Sequence, residues 1–368
     1  MKILISSWRD IRNPRGGGAE IVTQEVAKRL VRRGQEVTLF TSAFPGGAKE
    51  ETIDGVKIIR RGREWTVHFW AYRYYKKYFK GRVDLVIDEI NTIPFFTPFY
   101  VQEKVVMYIN QLAREVWWYQ LFFPLNLIGY LLEPIYLRLY RKIITITISE
   151  SSKQDLVNIG FKKEMIEIIP MAIDFQPVES LEEIAKAKDP TILYFGSLRP
   201  MKRPEEIIKA LPLIKKTITN IRLQIVGKGS KKDLARLKKL VWKYDLGDNV
   251  IFQGRVGVEE KKKIMSQAHL IAVTSIKEGW GLIVTEANAL GTPAVVYNVS
   301  GLRDAVQDGV TGIVCQENIP ACLAENIIEL LKNKELYKKL QFNAWEWSKT
   351  LTWDRTADRF WEIINKFY

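Results

Sequence analysis

Cysteine and histidine are scarce: Cys315, Cys322, His68 and His269 are the whole supply in 368 residues. Two cysteines cannot build a disulfide framework, and so few soft ligands argue against a structural zinc site. Both cysteines read as small buried apolar residues. No low-complexity or Pro/Gly/Ser-rich tract appears. The start, MKILISSW, enters a strand pattern at once, without the charged, apolar and cleavage regions of a secretion signal. The expectation is a cytoplasmic chain. Uncharged runs are short: residues 116–132 carry no charge but include Pro124 and Gly129. That length is at the lower limit for a bilayer span and the breakers suit a straight helix poorly.

What is present is a basic chain with real cores. Hydrophobic residues make up 47% and charged residues 27%, enough apolar surface for two domains of ordinary size. The formal net charge is +14, with half of the excess in residues 1–175 and half in the rest. An excess spread in this way suits anionic partners: nucleotide phosphates, acidic lipid or nucleic acid.

Lys2–Ser6 reads as a buried strand, followed by a loop with Gly16, Gly17 and Gly18. Ile21, Val22, Val26, Leu30 and Val31 then recur at helical spacing. Basic residues crowd the end of that helix, where cations meet the negative end of its dipole, and Gly34 stops it. Further strands are expected at 37–41, 83–88 and 142–148. Residues 174–190 form a polar segment and the best linker candidate. The alternation then restarts, with strands at 191–195, 222–226, 250–253, 270–274 and 293–297, and helices at 204–211 and 232–244. Strand, helix, strand, repeated, is the pattern of a parallel α/β sheet. The expected organisation is two Rossmann-like domains, residues 1–173 and 174–351, with their ligand in the cleft between them. A last helix, 352–368, is expected to rejoin the first domain.

One stretch raises a chemical question. In EGWGLIVTEANALGTP, Glu278 and Glu286 flank Gly279, Gly281 and an apolar run. Leu282–Leu290 reads as a short helix ended by Gly291. Its first amides, at Gly281 and Leu282, and its dipole form an anion site that bare glycine backbone lets a diphosphate approach. Glu278 then stands at the reacting end of such a ligand. Glu286, about one turn into the helix, is placed to accept two vicinal hydroxyls such as a ribose presents.

This stretch resembles the Glu-x7-Glu motif of the large retaining nucleotide-sugar glycosyltransferase family (family 4), whose members have the two-domain GT-B fold. The resemblance implies that Glu278 contacts donor-sugar hydroxyls and Glu286 the ribose. Other stretches carry it along most of the chain. Residues 195–202, FGSLRPMK, resemble the family's Gly-Arg-Leu-x-x-x-Lys segment, which clamps the diphosphate. Lys202 fits that pattern; the usual arginine position holds Ser197, with Arg199 two residues later. A cation pair there would offset charge on the leaving nucleoside diphosphate. Gly227, Lys228 and Gly229 resemble the family's Val-Gly-x-Gly turn, and Gly254, Arg255 and Val256 its nucleobase-holding loop. Gly16 to Glu20 match the glycine loop, so Gly17 and Gly18 are expected to face the donor phosphates. This is no dinucleotide fingerprint, because Ala19 and Ile21 stand where further glycines would be needed.

On the acceptor side, Asn110 occupies a position where the family often has His. Asn cannot act as a general base, so its role would be hydrogen bonding. Asp88 and Glu89, at a strand end, are further candidates. No side chain looks like a nucleophile, and the resemblance implies retention of configuration, with the leaving phosphate taking the acceptor proton. No Asp-x-Asp occurs, so activity without a metal is expected, on a UDP- or GDP-linked donor and with no resident cofactor.

Residues 65–80, WTVHFWAYRYYKKYFK, and the stretch from Trp117 to Lys142 are rich in aromatic and basic residues. Two readings fit them. They lie in a membrane interface, with Trp and Tyr at headgroup depth and Lys and Arg toward anionic lipid. Or they are aromatic core helices packed on the sheet. The first makes the acceptor a lipid-linked glycan or a glycolipid, and the enzyme peripheral on the cytoplasmic face. The alternatives to a glycosyltransferase are a nucleotide-sugar-binding protein without turnover and a nucleotide-sugar epimerase. Nucleic acid is not expected as a partner: aromatic and basic residues could line a groove for a strand, but the donor motifs speak against it.

Overall fold

The computed structural model describes residues 1–367, with the backbone alone at Gln120; Tyr368, in the expected last helix, lies outside the described residues. The chain divides into two compact units. One is Met1–Ala172 together with the C-terminal segment from Thr352; the other is Ile173–Leu351.

The first unit holds β1 (Lys2–Ser6), β2 (Glu36–Thr41), β3 (Glu50–Ile53), β4 (Val56–Arg60), β5 (Leu85–Ile90), β6 (Lys104–Ile109), β7 (Thr145–Thr147) and β8 (Ile166–Ile168). They form one sheet in the order β3-β4-β2-β1-β5-β6-β7-β8, parallel except for the β3–β4 pair. The order reverses between β1 and β5, the crossing point at which open α/β sheets place their ligands. The expected strand at 83–88 forms two residues later. β5 is buried along its whole length, as a central parallel strand covered on both faces must be. The β3–β4 hairpin was not expected from the sequence. It turns on Asp54 and Gly55, both at positive φ (50° and 82°), the geometry of a two-residue hairpin turn.

The Gly18–Arg32 helix buries Val22, Val26, Ala27 and Leu30 on one stripe. Each of the larger chains, Val22, Val26 and Leu30, contributes about 1.5–3 kcal/mol on burial. The closing helix, Trp353–Phe367, packs in the same unit through Trp353, Ala357, Phe360 and Ile364. Arg29 bonds Asp354 at 2.6 Å, and Arg359 bonds Glu167 at 2.6 Å.

The second unit holds β9 (Thr191–Phe195), β10 (Arg222–Val226), β11 (Val250–Gly254), β12 (Leu270–Val273), β13 (Ala294–Val296) and β14 (Gly312–Val314). They form an all-parallel sheet in the order β11-β10-β9-β12-β13-β14. The Pro204 helix runs on to Lys215, past Pro212. Residues 174–190, expected as a linker, are instead strapped to this unit. Val178 N bonds Ala289 O at 3.0 Å, and Ala187 N bonds Gln267 O at 2.9 Å. The Lys186 ammonium donates toward the carbonyls of Ser266, Ala268 and Gly291 and the Thr292 hydroxyl. Polar composition alone reads as a tether; a lysine whose stem is buried and whose head meets backbone oxygens does not.

Candidate functional site

Every strand of a parallel sheet ends on the same edge, so its loops gather there. In the second unit the loops after β9, β10 and β11 interlock through backbone. Gly196 N bonds Val226 O at 2.9 Å, Gly227 N bonds Gly254 O at 2.7 Å, and Leu198 N bonds Lys228 O at 3.1 Å. Gly227 has φ 146°, and a Cβ there would lie 1.7 Å from Gly196 O. The glycine is required by this crossing of two backbones.

The loop after β12 carries Glu278. Its Oε1 accepts the Lys202 ammonium at 2.5 Å and the Ser275 hydroxyl at 2.6 Å. Ile276 N bonds Met201 O at 2.9 Å, and Thr274 Oγ1 bonds Arg203 O at 2.7 Å, so this loop is stitched to the one that bears Lys202. Glu278 N bonds Ser300 O at 3.1 Å. Gly301, at φ 82°, presses so close that a Cβ would fall 2.3 Å from Glu278 O. Glu278 and Lys202, 76 residues apart, are thereby a pair fixed by three loops. Ser275 and Gly301 were not read from the sequence. Gly301 had a signal: a glycine between a strand and a short helix on the loop edge.

The Leu282–Ala289 helix follows, with Gly281 as its N-cap at φ 116°. Gly279 and Gly281 thus lie before a helix start whose first amides have no intrahelical partner. Glu286 faces inward, 6% exposed, and its Oε1 meets the Lys261 ammonium at 2.5 Å. Burial raises its proton affinity, Lys261 opposes this, and the charge of Asp174 adds to the rise. Lys261 also stands over the Phe195 ring, 5.5 Å from its centroid. No motif singles it out, because it comes from the separate Val258–Gln267 helix.

Arg199 is exposed and turns back onto Ser197, Nε to Oγ 3.1 Å; it does not join Lys202 at Glu278. Arg255 and Val256 lie in the loop after β11, with Arg255 exposed. Gly17 and Gly18 belong to the first unit. There Gly17 is the N-cap of the Gly18–Arg32 helix, and its N–H donates to Glu20 Oε2 at 2.7 Å.

Asn110 accepts the Tyr108 hydroxyl on Oδ1 at 2.8 Å and the Ser152 hydroxyl on its carbonyl at 2.8 Å. Asp88 lies within a closed hydrogen-bond set. It is fully buried, and its oxygens accept Phe95 N at 3.1 Å, the Thr97 hydroxyl at 2.7 Å and the Tyr140 hydroxyl at 2.5 Å. Burial holds its carboxyl above the usual range against those bonds. Glu89, its neighbour, points to the other face of the sheet, as alternate residues of a strand do. It is 1% exposed, so neither acid of the pair lies open at the strand end.

The two aromatic stretches are each buried on one face and exposed on the other. Val67, Ala71 and Tyr75 are buried, whereas Trp65 is 69% and Phe69 58% exposed. In the second stretch Trp117, Glu133, Leu137 and Tyr140 are buried. Phe122 (91%), Phe123 (77%) and Leu125, Ile128, Leu131, Leu132 and Ile135 face outward. The loop between β5 and β6 touches both stretches: Ile93 O meets His68 Nε2 at 3.2 Å, and Thr92 O accepts the Tyr136 hydroxyl at 2.6 Å. Among the described residues no helix is long and apolar enough to cross a membrane.

Comparison with known proteins bears on what this edge does. Residues 16–176 match the model of Glycosyltransferase Family 4, and residues 178–347 that of the group 1 glycosyl transferases. An uncharacterized glycosyltransferase of Methanocaldococcus jannaschii is 30% identical over 163 residues, 44% of either chain, so the match spans less than half of that relative. The N-acetyl-alpha-D-glucosaminyl L-malate synthase of Bacillus anthracis is 22% identical over 90% of this chain and 89% of its own. Among solved structures, the Anabaena protein HepE in complex with UDP-glucose aligns over 100% of both chains, with a TM-score of 0.75 at 18% identity.

Proposed function

This chain is a family-4-like glycosyltransferase of the GT-B fold, and from that premise we propose that it is a retaining hexosyltransferase whose donor is bound at the edge of the second sheet. The observation that carries this reading is Glu278 held between Lys202 and Ser275, beside the start of the Leu282–Ala289 helix. A nucleoside-diphosphate-sugar supplies what this cluster lacks. Its diphosphate takes the helix amides and the Lys202 ammonium, freeing Glu278 to accept sugar hydroxyls. Glu286 and Lys261 lie one helical turn further, suited to a ribose. A UDP-linked donor is supported by the ligand of HepE, with GDP the other candidate.

In the transfer, the bond from the anomeric carbon to the phosphate oxygen breaks as the acceptor oxygen bonds that carbon from the same face. The acceptor proton passes to the departing phosphate. Lys202 offsets the charge that grows there, and this preorganised cation is worth several kcal/mol in a site shielded from water. Turnover is expected to survive chelation with EDTA. The acceptor hydroxyl belongs to a lipid-linked glycan or glycolipid. Support for this is the outward apolar face of residues 122–135, an exposed patch that a water-facing protein seldom keeps without use.

The deciding experiment substitutes Glu278→Gln. The variant is expected to fold and to keep its thermal shift with the nucleoside diphosphate, while turnover falls at least about a hundredfold. Turnover at the unsubstituted level removes Glu278 from the reaction.

A further inference from the structure

Residues 7–17, between β1 and the Gly18–Arg32 helix, form neither helix nor strand, yet they bring Gly16 and Gly17 to the helix start. A stretch of this kind keeps its shape only where side chains from elsewhere hold it. Two such side chains come from the end of β4 and the turn that follows. Arg60 is the last residue of β4. Its side chain and that of Asp10 are wholly buried and meet in a two-armed pair, Nε to Oδ2 and Nη2 to Oδ1, each 2.7 Å. The guanidinium is fixed in turn by Ala48 O at 2.9 Å and by Glu51. Asp10 then builds the turn. Its Oδ1 accepts Arg12 N at 2.9 Å, and its carbonyl accepts Asn13 N at 3.0 Å. The Asn13 carbonyl accepts Gly16 N at 2.8 Å, so Arg60 reaches Gly16 through Asp10 and Asn13.

Glu64 reaches the same loop at two other points. Its Oε1 accepts Arg9 Nε at 3.0 Å, and its Oε2 accepts Arg15 Nη1 at 2.9 Å. Its carbonyl accepts the Trp8 indole N–H at 3.0 Å. Arg9 donates to Arg15 O at 3.3 Å and stands 4.0 Å from the centroid of the Trp8 ring. Two guanidiniums drawn to one point repel, and a carboxylate between them offsets that repulsion. Arg9 precedes the Asp10 turn and Arg15 follows it, so one acid ties the two sides of the loop together.

We propose that Arg60 and Glu64 are positioning residues for the glycine loop. Arg60 acts through Asp10, and Glu64 through Arg9 and Arg15; together they fix where Gly16 and Gly17 present their backbone. A loop already held in place does not have to be ordered at each binding event, so this clasp acts on donor affinity more than on the bond-breaking step. The consequence for turnover rests on the donor reading of the glycine loop. The clasp itself can be tested without a donor.

Glu64→Ala removes one half of the clasp from a partly exposed position, so the variant is expected to fold. Hydrogen exchange of the peptide spanning residues 9–17 is expected to quicken about tenfold. The KM for UDP-glucose, read from its hydrolysis, is expected to rise about tenfold, with kcat within about threefold; GDP-mannose replaces it if only GDP shifts the melting temperature. A merely structural contact would lower the melting temperature and leave KM alone. Adding Arg15→Met to Glu64→Ala is expected to cost little more, because the pair is already broken. Arg60→Lys keeps the charge but loses the two-armed geometry, and is expected to free the loop in the same way. Should Arg60→Lys fail to fold, Asp10→Asn, which keeps the shape, takes its place. Unchanged exchange at residues 9–17 in these variants, or quickened exchange with an unchanged KM, overturns the proposal. Failure of the donor reading shows separately, as absence of UDP and GDP binding by the unsubstituted chain, and the exchange rates then still decide whether the clasp holds the loop.

Discussion

Asn288 lies two residues beyond Glu286, fully buried, and neither its amide oxygen nor its nitrogen has a partner among the described residues. A buried amide left unpaired forfeits about 1–3 kcal/mol of hydration. Asn288→Leu, of nearly the same shape and without the polar atoms, is expected to raise the melting temperature by about 2–4 °C, read by calorimetry. Glu89 sets a second residue-scale expectation. Its folded value, about 8, lies above the ordinary glutamate range, so the folded state holds a proton the unfolded chain has released. Stability is therefore full below about pH 4.5 and is lost as pH rises through 8. The loss is roughly 3–5 kcal/mol, and Glu89→Gln removes it. Urea unfolding at pH 5, 7 and 9 should show the two proteins diverging upward. Glu278 and Glu286 were legible in the sequence because their spacing and their glycines are local. Lys261, Ser275 and Gly301 were not, because each reaches the site from another loop or helix.

At the scale of elements, the interlocked loops after β9 and β10 carry the sharpest prediction. Gly227→Ala puts a methyl group 1.7 Å from the Gly196 carbonyl oxygen, a backbone atom that cannot swing aside. The strain is expected to remove more than about 3 kcal/mol of stability, visible in the denaturation midpoint, and to loosen the neighbouring loops. Several strands could be placed from the sequence to the residue, among them β1, β9 and β10, because each is a short apolar run bounded by polar residues. The β3–β4 hairpin was missed although Asp54 and Gly55 announce it, since its strands lack a clean alternation of apolar and polar residues. Asp88 and Glu89 read as one acidic pair. The pleat of β5 sends them to opposite faces, Asp88 into a closed hydrogen-bond set and Glu89 into an equally buried site on the other side.

For the whole molecule, the outward aromatic and aliphatic faces of the first unit combine with a net charge of +14. On the membrane reading, the protein is expected to sediment with vesicles rich in anionic lipid at low salt. Release at high salt would be partial, because apolar insertion is not screened. Phe122→Ser with Phe123→Ser is expected to weaken that binding about tenfold or more without changing the melting temperature, both side chains being open to solvent. Absence of binding by the unsubstituted protein at low salt would remove the lipid acceptor. The α/β class, the restart of the pattern after residue 190 and the two acids around a glycine turn were all determined by the sequence, because periodicity and local backbone demands act over a few residues. Only the tertiary structure decided which acid meets which lysine, which half of each aromatic stretch faces outward, and that residues 174–190 are a strap. Those outcomes depend on contacts between segments tens of residues apart, where burial rather than local preference sets the free energy.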